Sequence, residues 1–470
     1  MKTGDKYFDS EDFQAQLQRY EAAHDKGQSI YMDPDELSDI AEYYYMLGNI
    51  DKAIATVEYG IGMFPGTVEL LSLRARIALI HENDTESAKA YADRIVDTTD
   101  FDYYYIQAEI MIVEEKEDEA ENYLENICSG LYDEEKEDFI FDVATLFTDY
   151  ELYEKAEKWI ARSSEQDAAD YKELKGRIAM HIGNFEESDR IFNELIDRDP
   201  YSTPYWNHLA SSQLLHNQIR DSISSSEFSI AINPDNEEAI LNKANGLFSL
   251  GNFEEAKKFY KRYSELCPEE ETGEMFQGIC ALNMDHLEEG VEHLKKAEEM
   301  ASGFSSNRGE IFQELAFALS RLGKGEEALD YVGKMETTDA DMNEVTVLRG
   351  HLLMNMGKFG EGQACYTKAI KDSDGSPRIF MHIAISIYDL GFYRQSYKMF
   401  QILRKVTDDT WTEGYSYEAL CCYSLGKYDE FREMVRVACE KNPREAQIVL
   451  GDMFPEGMDA KDFYGYLSDN

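Results

Sequence analysis

"LGNFEEAKKFYKRYSELCP", Leu250–Pro268, restates a line written sixty-eight residues earlier, "IGNFEESDRIFNELIDRDP", Ile182–Pro200. The Gly-Asn-Phe-Glu-Glu and the closing proline fall in the same places, two spans of thirty-four residues apart. Taking that Gly as a landmark, counterparts stand at Gly48, Asn83, Glu115, Glu151, Gly183, Asn217, Gly251, Asp285, Gly323, Gly357, Gly391 and Gly426. The intervals run from 32 to 38 residues, most of them 34 or 35. A fixed period of this length is the mark of a repeat architecture. It also explains how 470 residues carry only 9 prolines and no low-complexity linker, because units that pack only on their neighbours need no domain seams.

Within each period the pattern is helical. Five residues after most landmarks sits a small side chain: Ala53, Ala88, Ala120, Ala156, Ser188, Ser222, Ala256, Gly290, Ala328, Gly362 and Ser396. Seven residues before most of them sits another, from Ala41, Ala108, Ala144, Gly176, Ala210, Ala244 and Gly278 to Ala316, Gly350, Ala384 and Ala419. Small residues at fixed points on two consecutive helices let their backbones meet. Gly or Asn at the landmark suits a left-handed residue that ends the first helix. Pro65, Pro200, Pro234, Pro268 and Pro443, seventeen residues past their landmarks, mark the end of the second helix, since proline cannot continue the ladder.

The array resembles the tetratricopeptide repeat, a helix–turn–helix unit of thirty-four residues. "TPYWNHLASSQLLHNQIRDSISSSEFSIAINPDN", Thr203–Asn236, carries the family's Trp206, Ala210 and Pro234, and the next unit adds Gly251, Ala256, Tyr260 and Pro268. The resemblance implies an all-α fold, a right-handed α-solenoid superhelix of tandem helix pairs. Twelve repeats are expected over residues 34–443, with a capping helix and lead-in over 1–33 and a capping helix and tail over 444–470. Ser10 is the expected N-cap of the first cap, with Gly27 just past its end, and "PEGMDAKDFYGYLSDN" reads as an irregular tail. The second and fourth units, with the irregular turn "HENDTES" and no closing proline, are expected to pack differently. "YMDPDELSDIAEYYYMLGNIDKA" looks, more loosely, like the opening of long acidic bacterial members of the family.

Charge narrows the partners. The chain has 94 acidic and 46 basic residues, net −48. Residues 1–170 hold 42 acids and 14 bases, and Asp97–Asp142 holds 17 acids against Lys116 and Lys136. Such a surface repels phosphate backbones and anionic lipid, and it draws in basic partners. No nucleic acid or membrane partner is expected. Seven cysteines without a CxxC pair, and a start without an apolar stretch, give the expectation of free thiols in the cytoplasm. No nucleophile, metal or phosphate-loop motif occurs, so no enzyme activity and no cofactor are expected.

The resemblance also implies that first helices line a concave binding surface. By analogy, Arg177, Asn207, His208, Ser211, Asn242, Asn245, Met275 and Phe276 look inward, followed by His351, Met381, His382 and Tyr388; Tyr45 and Tyr105, from two "YYY" triplets, point the same way. Asn can donate and accept at once and so can hold an extended peptide backbone. The carboxylate clamp of tetratricopeptide co-chaperones is not expected, because Leu241, Thr272 and Phe276 stand where its cations are needed. The expected function is a non-catalytic scaffold that binds a protein or peptide, a basic one steered by the acidic N-terminal third. A self-associating solenoid (a homo-oligomer) and an acidic nucleic-acid mimic are the alternatives.

Overall fold

The computed structural model of the chain describes residues 5–8, 10–24, 29–302, 305–455 and 458–469. All regular structure among them is helical. The chain folds as two compact units, Met1–Gln218 and Ile219–Asn470. The first contains α1 (Asp5–Phe8), α2 (Glu11–His24), α3 (Pro34–Met46), α4 (Ile50–Met63), α5 (Val68–Ile80), α6 (Thr85–Ala92) and α7 (Phe101–Val113). It continues with α8 (Glu117–Cys128), α9 (Asp133–Asp149), α10 (Tyr153–Ile160), α11 (Ala169–His181), α12 (Phe185–Arg198) and α13 (Thr203–Leu215). The second opens with α14 (Ile219–Ile232), α15 (Glu237–Ser249), α16 (Phe253–Leu266), α17 (Thr272–Asn283), α18 (Leu287–Met300), α19 (Arg308–Arg321) and α20 (Gly325–Met335). It ends with α21 (Met342–Asn355), α22 (Phe359–Asp372), α23 (Pro377–Asp389), α24 (Tyr393–Val406), α25 (Tyr415–Ser424), α26 (Tyr428–Lys441), α27 (Pro443–Leu450) and α28 (Ala460–Asp469). Each unit is a solenoid of stacked helix pairs, α3 to α12 in the first and α15 to α26 in the second, with the odd-numbered helix first in each pair.

All twelve landmark residues adopt positive φ, including Glu115 at 61° and Glu151 at 59°. A left-handed glutamate is strained. It is held because the next residue's N–H reaches back five residues to close the helix: Lys116 to Met111 at 2.9 Å and Leu152 to Phe147 at 2.8 Å, as Asn252 does to Leu247 at 3.0 Å. The second repeat alone among the twelve departs from this closure. There Asp84 N reaches back to Ala78 O at 2.9 Å, so its turn contains one extra residue. α4, α12, α14, α16 and α26 each stop two residues before the prolines expected to end them.

Small residues sit where backbones meet. A Cβ on Gly278 would lie 3.1 Å from the Gly290 carbonyl, and one on Gly290 would lie 3.2 Å from the Gly278 carbonyl. At Ser188 and Ser396 the hydroxyl of the second helix binds the first: Ser188 Oγ donates to Gly176 O at 3.0 Å, and Ser396 Oγ to Ala384 O at 2.6 Å. The expected irregularity of the second and fourth repeats takes the form of short second helices: α6 and α10 have 8 residues where α4 has 14.

At the N-terminal end Ser10 Oγ accepts from Phe13 N at 3.3 Å, capping α2 as expected, and Gly27 lies outside the described residues. The expectation of an irregular tail is overturned. Ala460, Phe463 and Leu467 share one face of α28. Phe463 is fully buried and stacks on Phe454 with centroids 3.9 Å apart. Burying two aromatic rings stabilises a short helix that has little intrinsic propensity.

Candidate partner-binding faces

Position along the first helix decides which side chains are free to meet a partner. The residue seven before the turn must be small, whereas the residue six before it is less confined, although Asn245 there binds Tyr260 of the paired helix and Glu109 and Ile279 are buried. In the first unit that place holds Glu42, Arg76, Glu109, Thr145, Arg177 and Ser211, counting the second repeat past its extra residue. A second column, thirteen before the turn, is acidic in five consecutive repeats: Asp35, Glu69, Asp102, Asp138 and Asp170. Asp39, Asp142 and Asp149 add to the same face.

One cation of this face is already committed. Arg76 Nη2 donates to Glu109 Oε1 at 2.6 Å and its Nε to Oε2 at 3.0 Å, while Tyr150 Oη donates to Glu109 Oε2 at 3.2 Å. Glu109 is only 3% exposed. Burial pulls the Arg76 guanidinium down, and the Glu109 charge more than offsets it. Arg177 forms no hydrogen bond or ion pair with another described side chain; its charge acts on Asp149.

The remaining acids are crowded and only partly compensated by Arg76, Arg177 and the Tyr105 hydroxyl. Burial lifts the carboxyls of Glu42, Glu69, Asp142 and Asp149 above their ordinary values. Arg76 draws Glu42 partly back down while Asp39 and Asp102 push it up, Asp35, Asp100 and Asp102 push Glu69 up, and Arg177 and Arg76 draw Asp149 partly back. Asp142 and Asp149 are exposed, whereas Glu42 and Glu69 are half-buried. Low-polarity walls around like charges make the charged form costly.

The sequence-derived inner-face residues fall into two groups. Asn207, Asn242, Met275 and Tyr105 are buried, so they are not the open contact points the resemblance implied. Tyr105 donates its hydroxyl to Asp142 at 2.8 Å and stacks on Phe139, and burial followed by Asp142 raises its pKa. Met381, also expected to face inward, is buried too. Residues ten before the turn, as Asn207, Met275, Tyr105 and Met381 are, tuck into packed surroundings rather than toward the hollow.

The others remain partly accessible. His208 Nε2 lies 3.6 Å from Glu173, Ser211 is half-buried, and Tyr45 meets His81 edge-on at 5.1 Å. In the second unit Asn245 Oδ1 accepts from Tyr260 Oη at 2.7 Å, and Phe276 stacks on the Tyr260 ring at 4.9 Å. His351 Nδ1 is 2.9 Å from Ser386 Oγ, and its ring meets Phe317 edge-on at 5.9 Å. His382 Nδ1 is 3.6 Å from Glu344, which also pairs with Arg378 at 2.8 Å. Burial lowers both histidines, so neutral imidazole is favoured at each. Tyr388 is half-buried beside Tyr393, with ring centroids 5.1 Å apart.

Sequence reasoning missed the acidic column thirteen before the turn, and it missed Glu314, Phe317, Ile385 and Leu420 in the second unit. The fixed offset was the signal that could have found them. Among the described residues no group of three His, Cys, Asp or Glu is placed to hold a metal ion, and no helix is long and apolar enough to cross a membrane.

Three stretches of the chain, residues 38–103, 237–270 and 345–371, match sequence profiles of the tetratricopeptide repeat. No curated protein sequence matches. Among solved structures the chain is similar to PilF of Pseudomonas aeruginosa, at 17% identity and TM-score 0.39 over 45% of this chain and 94% of that one. It is also similar to a tetratricopeptide repeat protein from Parabacteroides merdae ATCC 43184, at 14% identity and TM-score 0.42 over 53% and 98% of the two chains. A third is MamA from Desulfovibrio magneticus RS-1, at 15% identity and TM-score 0.33 over 37% and 97%. At such scores the three carry no argument about function.

Proposed function

The chain is a tetratricopeptide-repeat protein, and from that premise we propose that it is a non-catalytic scaffold whose first unit holds a basic segment of a partner protein against its inner face. One observation carries this: Glu42, Glu69 and Asp149 are raised by burial, yet none of the three forms an ion pair with a described residue. A lysine or arginine brought in by a partner would add to the partial counter-charge that Arg76 and Arg177 give Glu42 and Asp149. The acids along Glu114–Asp138 extend the field outward and speed encounter. Several of them are already partly engaged, as Asp118 and Glu121 are with Lys155 at 2.7 and 2.6 Å, which suits them to steering more than to gripping.

Free cysteines fit a reducing compartment such as the cytoplasm. Cys128, Cys280, Cys421 and Cys422 are buried, and burial raises each thiol, which makes them slow to react.

A fluorescein-labelled oligolysine of about eight residues, titrated with the full chain by anisotropy, tests the proposal. Affinity should fall steeply between about 50 and about 300 mM salt. It should also weaken about tenfold when Glu42, Glu69 and Asp149 are replaced together by Gln, Gln and Asn. Binding that ignores those three replacements, in a variant with unchanged circular dichroism, would refute the assignment to this face.

A further inference from the structure

We propose that the outer face of α22 and α24 docks on the acidic turn edge of the first unit of a second copy of this chain, so that copies join head to tail. The inference uses the second helices of the pairs and does not depend on the inner-face reading above. Three other second helices hold an outward cation with an acid three or four residues away on the same helix. Arg190 pairs with Glu187 at 2.7 Å, Lys258 with Glu255 at 2.6 Å, and Arg436 with Glu440 at 2.7 Å. α24 departs from that pattern. Its sequence, "YRQSYKMFQILRKV", holds four cations and no acid, in a chain where acids outnumber bases 94 to 46.

Only Arg404 is committed, to the buried Glu418 at 3.0 Å. Arg394, Lys398 and Lys405 lie on the side of α24 opposite the buried Ser396, Phe400 and Leu403. All three are exposed, as are Lys368 and Lys371 on α22. None of these five forms a hydrogen bond or ion pair with a described residue. Asp408, the acid nearest Lys405 in sequence, accepts from Thr410 N at 2.9 Å instead. Arg394 with Lys398, and Lys368 with Lys371, are like charges one helical turn apart, which weakens a helix. Ile402 is 42% and Val406 47% exposed beside them, and neither belongs to the adjoining apolar clusters. A face that costs the helix stability and leaves apolar groups in water marks a contact with another molecule.

Charge complementarity selects the occupant. In the first unit Glu115, Glu117 and Glu119 of the third repeat, and Glu151 and Glu154 of the fourth, are exposed where α8 and α10 begin. None of them has an ion pair among the described residues. Uncommitted acids over two successive repeats thus face uncommitted cations over two successive repeats. Charges farther apart than about 8 Å are screened at physiological salt, so matched groups at the contact outweigh the like net charge of the two copies. α20 and α26, which flank the cations, carry Glu326, Glu327 and Asp330, and Asp429, Glu430 and Glu433. An extended nucleic acid or an anionic bilayer would run from the cations onto these acids. The two faces lie at different places on one chain, so the contact is heterologous and does not close at a dimer.

Sedimentation velocity of the full chain is the test. At about 100 mM salt the average mass should rise between about 2 and about 200 µM protein, and it should return to the monomer at about 500 mM salt. Arg394→Glu with Lys398→Glu should weaken association more than about tenfold, as should Glu117→Lys with Glu119→Lys, both with unchanged circular dichroism. Mixed one to one, these two variants should form a dimer and stop there, because each keeps only one of the two faces. The triple replacement at Glu42, Glu69 and Asp149 should leave association within about twofold, so failure of either proposal is seen separately. Loss of association in that variant would move the contact to the inner face and overturn the inference. A parent that stays monomeric throughout overturns it, as does a mixture of the two variants that stays monomeric or variants that associate like the parent. Binding of the parent to oligouridylate or to phosphatidylserine vesicles, abolished by Arg394→Gln with Lys398→Gln, would give the face to nucleic acid or lipid and overturn it equally.

Discussion

Replacing Glu314 by Gln should make the protein more stable, and only at neutral to alkaline pH. The carboxyl is lifted from an ordinary 4.5 to about 7, chiefly by burial and then by Glu310. Because the folded-state value lies above the unfolded one, the folded chain holds the proton more tightly. Stability from this group is therefore fully present below about pH 4.5 and is lost as the pH rises through 7. At about 1.4 kcal/mol for each tenfold change in proton affinity, the ceiling is ~3 kcal/mol. Water reaches the half-buried carboxylate, which trims the expected gain of Glu314→Gln at pH 8.5 to between about 1 and 3 kcal/mol. At pH 4.5 to 5, where Glu314 is protonated, the amide and the acid are near equals. Urea unfolding followed by circular dichroism, for parent and variant side by side from pH 5 to 8.5, isolates the effect, because the acids common to both cancel. A gain independent of pH, or a variant less stable than the parent at pH 8.5, would refute the claim that an unneutralised carboxylate sits at this place on α19.

Glu109→Ala should cost about 3–5 kcal/mol, because it strands the Arg76 guanidinium, whereas Arg76→Met with Glu109→Leu should cost much less; chemical denaturation of both variants measures the gap. Gly278→Ala should destabilise more than Gly251→Ala in thermal melts. The former drives a Cβ to 3.1 Å from the Gly290 carbonyl, while the latter meets no atom within 4 Å and bears only the strain of φ 74°, about 1 kcal/mol. Phe463→Ala should lower stability by about 3 kcal/mol and release α28, seen as faster amide exchange confined to the last helices.

The turns, the small-residue contacts and the proline stops were legible from sequence because a repeat writes each requirement many times in register. Even left-handed glutamates at 115 and 151 could be placed, although neither has the propensity, because the spacing named them. Side-chain direction was less legible. Family analogy put Asn207, Met275 and Tyr105 on the open face, and the offset of ten residues instead tucks them into buried surroundings. Arg76 went unnoticed because the second turn holds one extra residue, which shifts the count and hides Arg76 behind Ala75. α28 was missed because its apolar positions are few and its stability comes from Phe454, outside the helix.

Two adjacent positions on the first helix show where the physics leaves freedom. Seven residues before the turn the side chain is confined by contact with the paired helix, as Gly278 is by the Gly290 carbonyl and Leu294. One residue later the side chain is freer in some repeats and packed in others: Glu109 and Ile279 are buried, Asn245 accepts from Tyr260 of the paired helix at 2.7 Å, and Phe317 is 37% exposed. The chemistry there is mixed in both units, with Thr145 and Ser211 beside Glu42 and Arg177 in the first, and Asn245 and His351 beside Phe317 and Leu420 in the second. Such a position is the place to test the proposed charge reading: Glu42→Phe should leave helix content unchanged while weakening binding of the oligolysine probe. If the replacement instead unfolds its unit, the position is a packing site and the proposal loses its footing.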